Sequence, residues 1–274
     1  LELGQVYAAF GTKVTVVEMM SSLVPMIDAD LMRPLRKRLD ADFEKIYLGT
    51  SLTSMKEVKD AIEVTFEGKD APKTAKFDKV LVAVGRRPNS TELDLDKVGV
   101  EVDERGFIKV DDGFKTTSSK IYAIGDVIGD PMLAHKAIHE GAVVADRLAG
   151  KDAVFDPRAI PAVVFTDPPI AWAGYTEQEA KAEKLDITIK KIPWSASGKA
   201  VSIGRTDGVT KLIFDKPSQR LIGIGLCGPH AGEMISEGVL ALEMGAVAYD
   251  IETMIHPHPT LSEMIGEAAG MVSS

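Results

Sequence analysis

Only one cysteine, Cys227, stands in the 274 residues. An internal disulfide, a C-x-x-C redox pair and a cysteine-rich zinc site are therefore excluded. Long apolar runs are missing too, and none approaches the roughly 20 residues that a membrane-spanning helix needs. The opening residues, Leu1-Glu2-Leu3-Gly4, lack an initiator Met and the basic and apolar regions of a signal peptide. Positive charge is in deficit, with 32 Lys and Arg against 41 Asp and Glu and a net charge of −9. That balance argues against nucleic acid or an anionic membrane as a partner, because both are bound mainly through Lys and Arg. His135, His139 and His230 show no metal-ligand spacing with Asp or Glu, so no metal is expected. The expectation is a cytoplasmic chain that begins inside a helical pattern and is a fragment of something longer.

What is present supports a substantial core, since 45% of the residues are hydrophobic. Leu3, Val6, Tyr7 and Phe10 recur at helical spacing, and Gly11 stands where a helix-ending glycine belongs. KVTVVE at 13–18 is a β-branched run of the kind buried parallel strands use. Residues 28–43 read as a second amphipathic helix, with Pro34 a kink or a reset of its start. Residues 51–56 and 61–66 alternate as an antiparallel meander. FDKVLVAV at 77–84 and KIYAI at 120–124 read as buried strands, the first closing on a breaker-rich turn and the second on Gly125-Asp126. A helix is expected over 135–148, and the polar, proline-containing stretch 150–161 reads as a domain boundary. Beyond it, five short strands (162–166, 171–175, 187–193, 209–215, 220–227) precede helices at 231–244 and 260–271. The fold class expected is α/β followed by an α+β domain on an antiparallel sheet.

Glu18 ends the first strand-like run, where a dinucleotide-binding βαβ unit places an acid against the adenine ribose. An acid at a strand end is otherwise an ordinary solvated residue, and no G-x-G-x-x-G stands ahead of the first helix to decide between the two. Four segments taken together carry a resemblance: L-E-L-G at 1–4, V-G-R-R-P-N at 84–89, A-I-G-D at 123–126 with P-M-L-A-H-K-A at 131–137, and H-P-H-P-T-L-S-E at 256–263. In this order and spacing the chain resembles the dihydrolipoamide dehydrogenases, class I flavoprotein disulfide reductases, along essentially its whole length. T-L-S-E after the His-Pro favours that group over glutathione reductase. Mercuric reductase and the soluble transhydrogenase are related alternatives.

The resemblance implies three parts: residues 1–86 as the C-terminal part of an NAD-binding domain, 87–156 as a central, FAD-contacting segment, and 157–274 as a dimerisation domain that forms a homodimer. Glu2 matches the acid beside the nicotinamide, Glu18 the ribose-binding acid, and Gly85 a backbone position near the nicotinamide half of NAD. An acid at 18 suits NAD, because the 2′-phosphate of NADP would meet a carboxylate. Asp126 matches the carboxylate that accepts from the ribityl hydroxyls of FAD, and Met132, Leu133, Ala134 and His135 bring backbone groups up to the flavin. Gly85 also reads as a turn glycine before Pro88, and Asp126 as a helix N-cap.

By the same resemblance His258 is the catalytic acid/base, Glu263 orients it, and the His258–Pro259 bond is cis. Thr260-Leu261-Ser262-Glu263 equally spells the capping box S/T-x-x-E. His256 reads as structural, and the Met-rich stretches as packing. The activity implied is oxidation of dihydrolipoamide by NAD+ through FAD and a C-x-x-x-x-C disulfide, with the dihydrolipoyl group of an acyltransferase component as partner. The disulfide and both Gly-rich loops belong to a part of the family that this sequence lacks. The chain by itself is therefore expected to be inactive, and a non-catalytic dimerisation fragment is the competing reading.

Overall fold

The helical spacing at the start is realised as α1 (Glu2–Ala9), after which Gly11 takes a φ of +90° and turns the chain. Strand β1 (Thr15–Val17) and helix α2 (Ala29–Asp42) follow, and β2 (Lys45–Tyr47) returns parallel to β1. Pro34 stands inside α2 without ending it, while Leu31, Met32, Leu35 and Leu39 form its buried stripe. Strands β3 (Ser51–Val58), β4 (Ala61–Glu67) and β5 (Thr74–Phe77) make the antiparallel meander. The computed structural model describes residues 1–273, and the chain divides into two units, Leu1–Val80 with Arg158–Ser274, and Leu81–Pro157.

Two expected strands are not formed. The run at 77–84 contributes only Phe77, the end of β5, and Val82 and Val84 are 61% and 92% exposed. Its side chains suit a strand, but a strand exists only by pairing, and none of the described strands pairs with it. At 120–124 the backbone makes one isolated bridge, Lys115 with Tyr122, rather than a ladder. Asp126 consequently lies in a 3₁₀ turn, Gly125–Ile128, and not at a strand end. This second unit also holds a 3₁₀ turn at Leu95–Val98, the helix α3 (Ala134–Leu148), and a small cluster of Val100, Ile108 and Ala123.

The later part of the first unit follows the expected pattern closely. Strands β6 (Ala162–Val164) and β7 (Ile170–Gly174), helix α4 (Glu177–Ala182), β8 (Ile187–Pro193), helix α5 (Gly198–Ser202), β9 (Val209–Asp215) and β10 (Leu221–Cys227) come first. Helices α6 (Ala231–Met244), α7 (Ala248–Thr253) and α8 (Glu263–Ser273) close the chain. The strands form one antiparallel sheet in the order β6-β7-β10-β9-β8. Successive side chains point to opposite faces. Leu212, Phe214, Ile224 and Leu226 pack with Ile235, Met264 and Ile265 of α6 and α8, whereas Ile170 and Cys227 pack with Leu31, Leu35 and Leu39 of α2.

The G-x-G-x-x-G spacing does occur once, at Gly223, Gly225 and Gly228, in and just after β10. It is a packing motif here, not a phosphate loop. A Cβ at these positions would collide with the Tyr175 carbonyl, with Leu31 and with Trp194 respectively.

Candidate functional site

The loop that leads into α8 positions the two residues singled out for chemistry. His258–Pro259 is a cis peptide, and Glu263 is the first residue of α8. One carboxylate oxygen of Glu263 accepts the Thr260 backbone N–H at 2.7 Å, and the other lies 2.7 Å from His258 Nδ1. Thr260 Oγ1 donates to the Pro257 carbonyl, so only the glutamate half of the capping box is formed. Both readings of Glu263 therefore hold at once: it caps the helix and it orients the imidazole. The Thr260 N–H, and after it the His258 side chain, hold its carboxyl below the ordinary range. An ionised Glu263 accepts the Nδ1 proton, which leaves Nε2 as the acceptor on a side chain 79% exposed.

His256, two residues earlier, faces the other way. Its side chain is 8% exposed, and Nε2 lies 2.8 Å from Glu237 on α6. Nineteen residues separate these partners, so spacing alone could not pair them. Cys227 is buried, and burial pushes its thiol up to about 12, which disfavours the thiolate.

Glu2 and Glu18 belong to the same unit. Glu2, at the start of α1, accepts the Phe165 N–H at 2.6 Å and so ties that helix to the segment after β6. Glu18 follows β1, donates its own N–H to the Tyr47 carbonyl, and closes the next turn by accepting the Met20 N–H at 2.7 Å. One of its oxygens is used in that turn.

The remaining residues lie in the second unit. Gly85 has a φ of +110° and open space where a Cβ would stand, so its glycine is required by backbone conformation. Asp126 caps no helix. It takes Arg86 Nη1 at 3.1 Å, and the same guanidinium nitrogen donates to the Met132 carbonyl at 3.2 Å. Arg86, Arg87, Leu93, Asp126 and Met132 line an open cleft of about 570 Å³, within the size range of small-molecule sites. Leu133 is the N-cap of α3 without a side-chain cap, and Ala134 and His135 begin that helix. A half-exposed carboxylate, a guanidinium and backbone groups in one cleft fit a polyhydroxylated, phosphate-bearing ligand such as a flavin dinucleotide. Among the described residues, no three His, Cys, Asp or Glu are grouped so as to hold a metal ion, and no helix is long and apolar enough to cross a membrane.

Residues 1–141 match the family described as pyridine nucleotide-disulphide oxidoreductase, and residues 160–269 match the dimerisation domain of that family. The chain belongs to the pyridine nucleotide-disulphide oxidoreductases. It is 48% identical, over 98% of its length, to the dihydrolipoyl dehydrogenase of Vibrio cholerae, and 47% identical to that of Haemophilus influenzae. It spans 57% and 56% of these two proteins. Among solved structures, the HOCl-induced flavoprotein disulfide reductase RclA from Escherichia coli superposes with a TM-score of 0.90 at 28% identity, covering 98% of this chain and 62% of that one.

Proposed function

We propose that this chain is the nucleotide-, flavin- and partner-contacting portion of an NAD-dependent dihydrolipoamide dehydrogenase, with residues 1–86 in the NAD domain, 87–156 in the FAD-contacting segment and 157–274 in the dimerisation domain. The observation that carries this reading is the exposed His258 held by Glu263 at 2.7 Å. A substrate alkyl thiol is mostly protonated at neutral pH and becomes nucleophilic only as a thiolate, so it needs a base. His258 Nε2 takes the thiol proton, while the ionised Glu263 fixes the tautomer and stabilises the imidazolium that results. FAD, when bound, supplies a two-electron relay between a redox disulfide and NAD+. Asp126 accepts from its ribityl hydroxyls, and Met132, Leu133, Ala134 and His135 present the start of α3 to it. Glu18 accepts from the adenine ribose and disfavours a 2′-phosphate, while Glu2 and Gly85 stand toward the nicotinamide.

In the whole enzyme this portion works as a homodimer in the cytoplasm, on the dihydrolipoyl group of an acyltransferase component. The match to a dimerisation domain supports the homodimer, as do the exposed apolar Leu240, Met244, Tyr249 and Ile255. The buried Cys227 supports the view that this chain exchanges no disulfide by itself. The test is kcat against pH with dihydrolipoamide in the whole enzyme. His258→Gln is expected to lower turnover by about 10²- to 10⁴-fold with flavin still bound. Near-normal turnover of that variant overturns the assignment.

A further inference from the structure

A buried ion pair lies directly behind the Asp126 turn. Lys136 and Glu140, one turn apart on α3, have side chains 7% and 1% exposed and meet at 2.6 Å. The second oxygen of Glu140 accepts the backbone N–H of Gly125 at 2.7 Å. Gly125 is buried, has a φ of +75°, and leaves no spare room, since a Cβ there would come to 3.0 Å from that of Ala137. The backbone at this point therefore has a buried donor that must be met, and Glu140 meets it from the helix side. A buried ion pair stabilises a fold no better than a well-packed apolar pair, so stability alone gives no reason for one here.

We propose that Glu140 is a positioning residue. Its carboxylate, balanced by Lys136, fixes the Gly125 N–H and thereby aims Asp126 into the cleft. The proposal rests on the reading above that Asp126 receives the ribityl hydroxyls, and it adds two residues of α3 that the family motif of the sequence analysis did not single out for a role. Lys136 gives the buried carboxylate a charge partner at 2.6 Å. Glu140→Gln keeps a carbonyl acceptor for Gly125 but strands the ammonium. Lys136→Met with Glu140→Leu removes both charges together, so that no unpaired charge is left to unfold the helix.

The experiment is amide hydrogen exchange on the whole enzyme stripped of its flavin and on its variants, followed by titration with FAD itself. In the double variant the Gly125 amide is expected to exchange about 10- to 100-fold faster, the factor that a hydrogen bond to a charged acceptor carries. Amides in the middle of α3 should keep their protection. FAD should perturb the amides of residues 125–135 in the natural sequence, and its apparent dissociation constant should rise about tenfold in the double variant. Unchanged Gly125 exchange in a folded double variant overturns the proposal. So does an FAD affinity that falls with Asp126→Asn but not with the double variant. If FAD perturbs nothing in the natural sequence, the flavin reading fails, while the Gly125 exchange still decides whether Glu140 holds the turn.

Discussion

Residues 158–274 and residues 81–157 solve the burial problem in different ways. The first stretch builds a five-stranded sheet with its own α6 and α8 over one face, the other face packing against α2 from earlier in the chain, and it encloses Trp194, Leu212, Phe214, Leu226 and Ile265 almost completely. The second has isolated bridges where a ladder would be, and its cluster is Val100, Ile108 and Ala123. Side-chain oxygens do there what a sheet does elsewhere. Asp103 accepts from Arg105 and Phe107, Asp111 accepts from Gly113 and Lys115, and Glu140 accepts from Gly125. The Lys115 and Gly113 amides hold the Asp111 carboxyl below its ordinary range. The difference teaches that a turn carrying a ligand-facing group can be fixed by single polar contacts, at the cost of low local stability.

The largest effect is expected where the sheet meets α2. Lys211 on β9 is buried and bonds Asp28, Asp30 and Glu177 at 2.7–3.0 Å, while Lys191 takes a second contact to Asp30. Burial alone would lower the Lys211 pKa, but the three carboxylates outweigh it and hold the ammonium charged. Lys211→Met removes the cation and leaves three acids facing one another. It should cost about 3–5 kcal/mol, read as a lower midpoint in urea unfolding. A loss under about 1 kcal/mol would mean that the cluster is solvated.

Next in size is a paired truncation that sharpens the comparison directly. Leu212→Ala, in the closed core of the sheet, should cost about 4 kcal/mol, and Ile108→Ala, in the small cluster, about 2 kcal/mol. The second cavity can collapse or admit water more readily. Hydrogen exchange should show Ile108→Ala loosening residues 81–157 before the sheet. Equal losses, with equal loss of protection, would contradict the contrast between the two stretches.

The same contrast governs how much the sequence disclosed. Strands of the sheet were legible because alternation and length mark them. Helices α4, α5 and α7, at five or six residues each, are too short to show an amphipathic period and escaped notice. The runs at 77–84 and 120–124 misled because strand-like side chains say nothing about whether a partner strand is present. At the site, His258 and Glu263 were readable because one family motif carries both, five residues apart, whereas the residues alone spelled only a capping box. His256 with Glu237, and Gly125 with Glu140, were not, because a helix folded back in space brings those pairs together.

A smaller effect concerns Glu263, whose folded pKa lies below its ordinary value. A depressed carboxylate contributes stability above its unfolded pKa, and that contribution disappears as pH falls through the folded value. The stability difference between the natural chain and Glu263→Gln should therefore be full at pH 7 and shrink below about pH 4.5, the ordinary value. Thermal melts of both chains across that range decide it. A difference that stays constant on acidification would remove the charged contact with Thr260 and His258 from the account.

The smallest effect is expected at Val82, in the run where the sequence pattern predicts a buried strand and the structure leaves the side chains exposed. A valine in a buried strand would cost well over 1 kcal/mol on truncation, whereas a valine mostly in solvent has little burial to lose. Val82→Ser should change the stability of this chain by no more than about 0.5 kcal/mol. Urea unfolding at two protein concentrations makes the test specific. A loss above about 1.5 kcal/mol that is independent of concentration would place Val82 inside the folded chain and restore the buried strand. A loss that grows with concentration would instead place the run against a second molecule, since only association ties stability to concentration. No change at either concentration leaves residues 81–157 as the structure has them, with an apolar run that none of the described strands pairs.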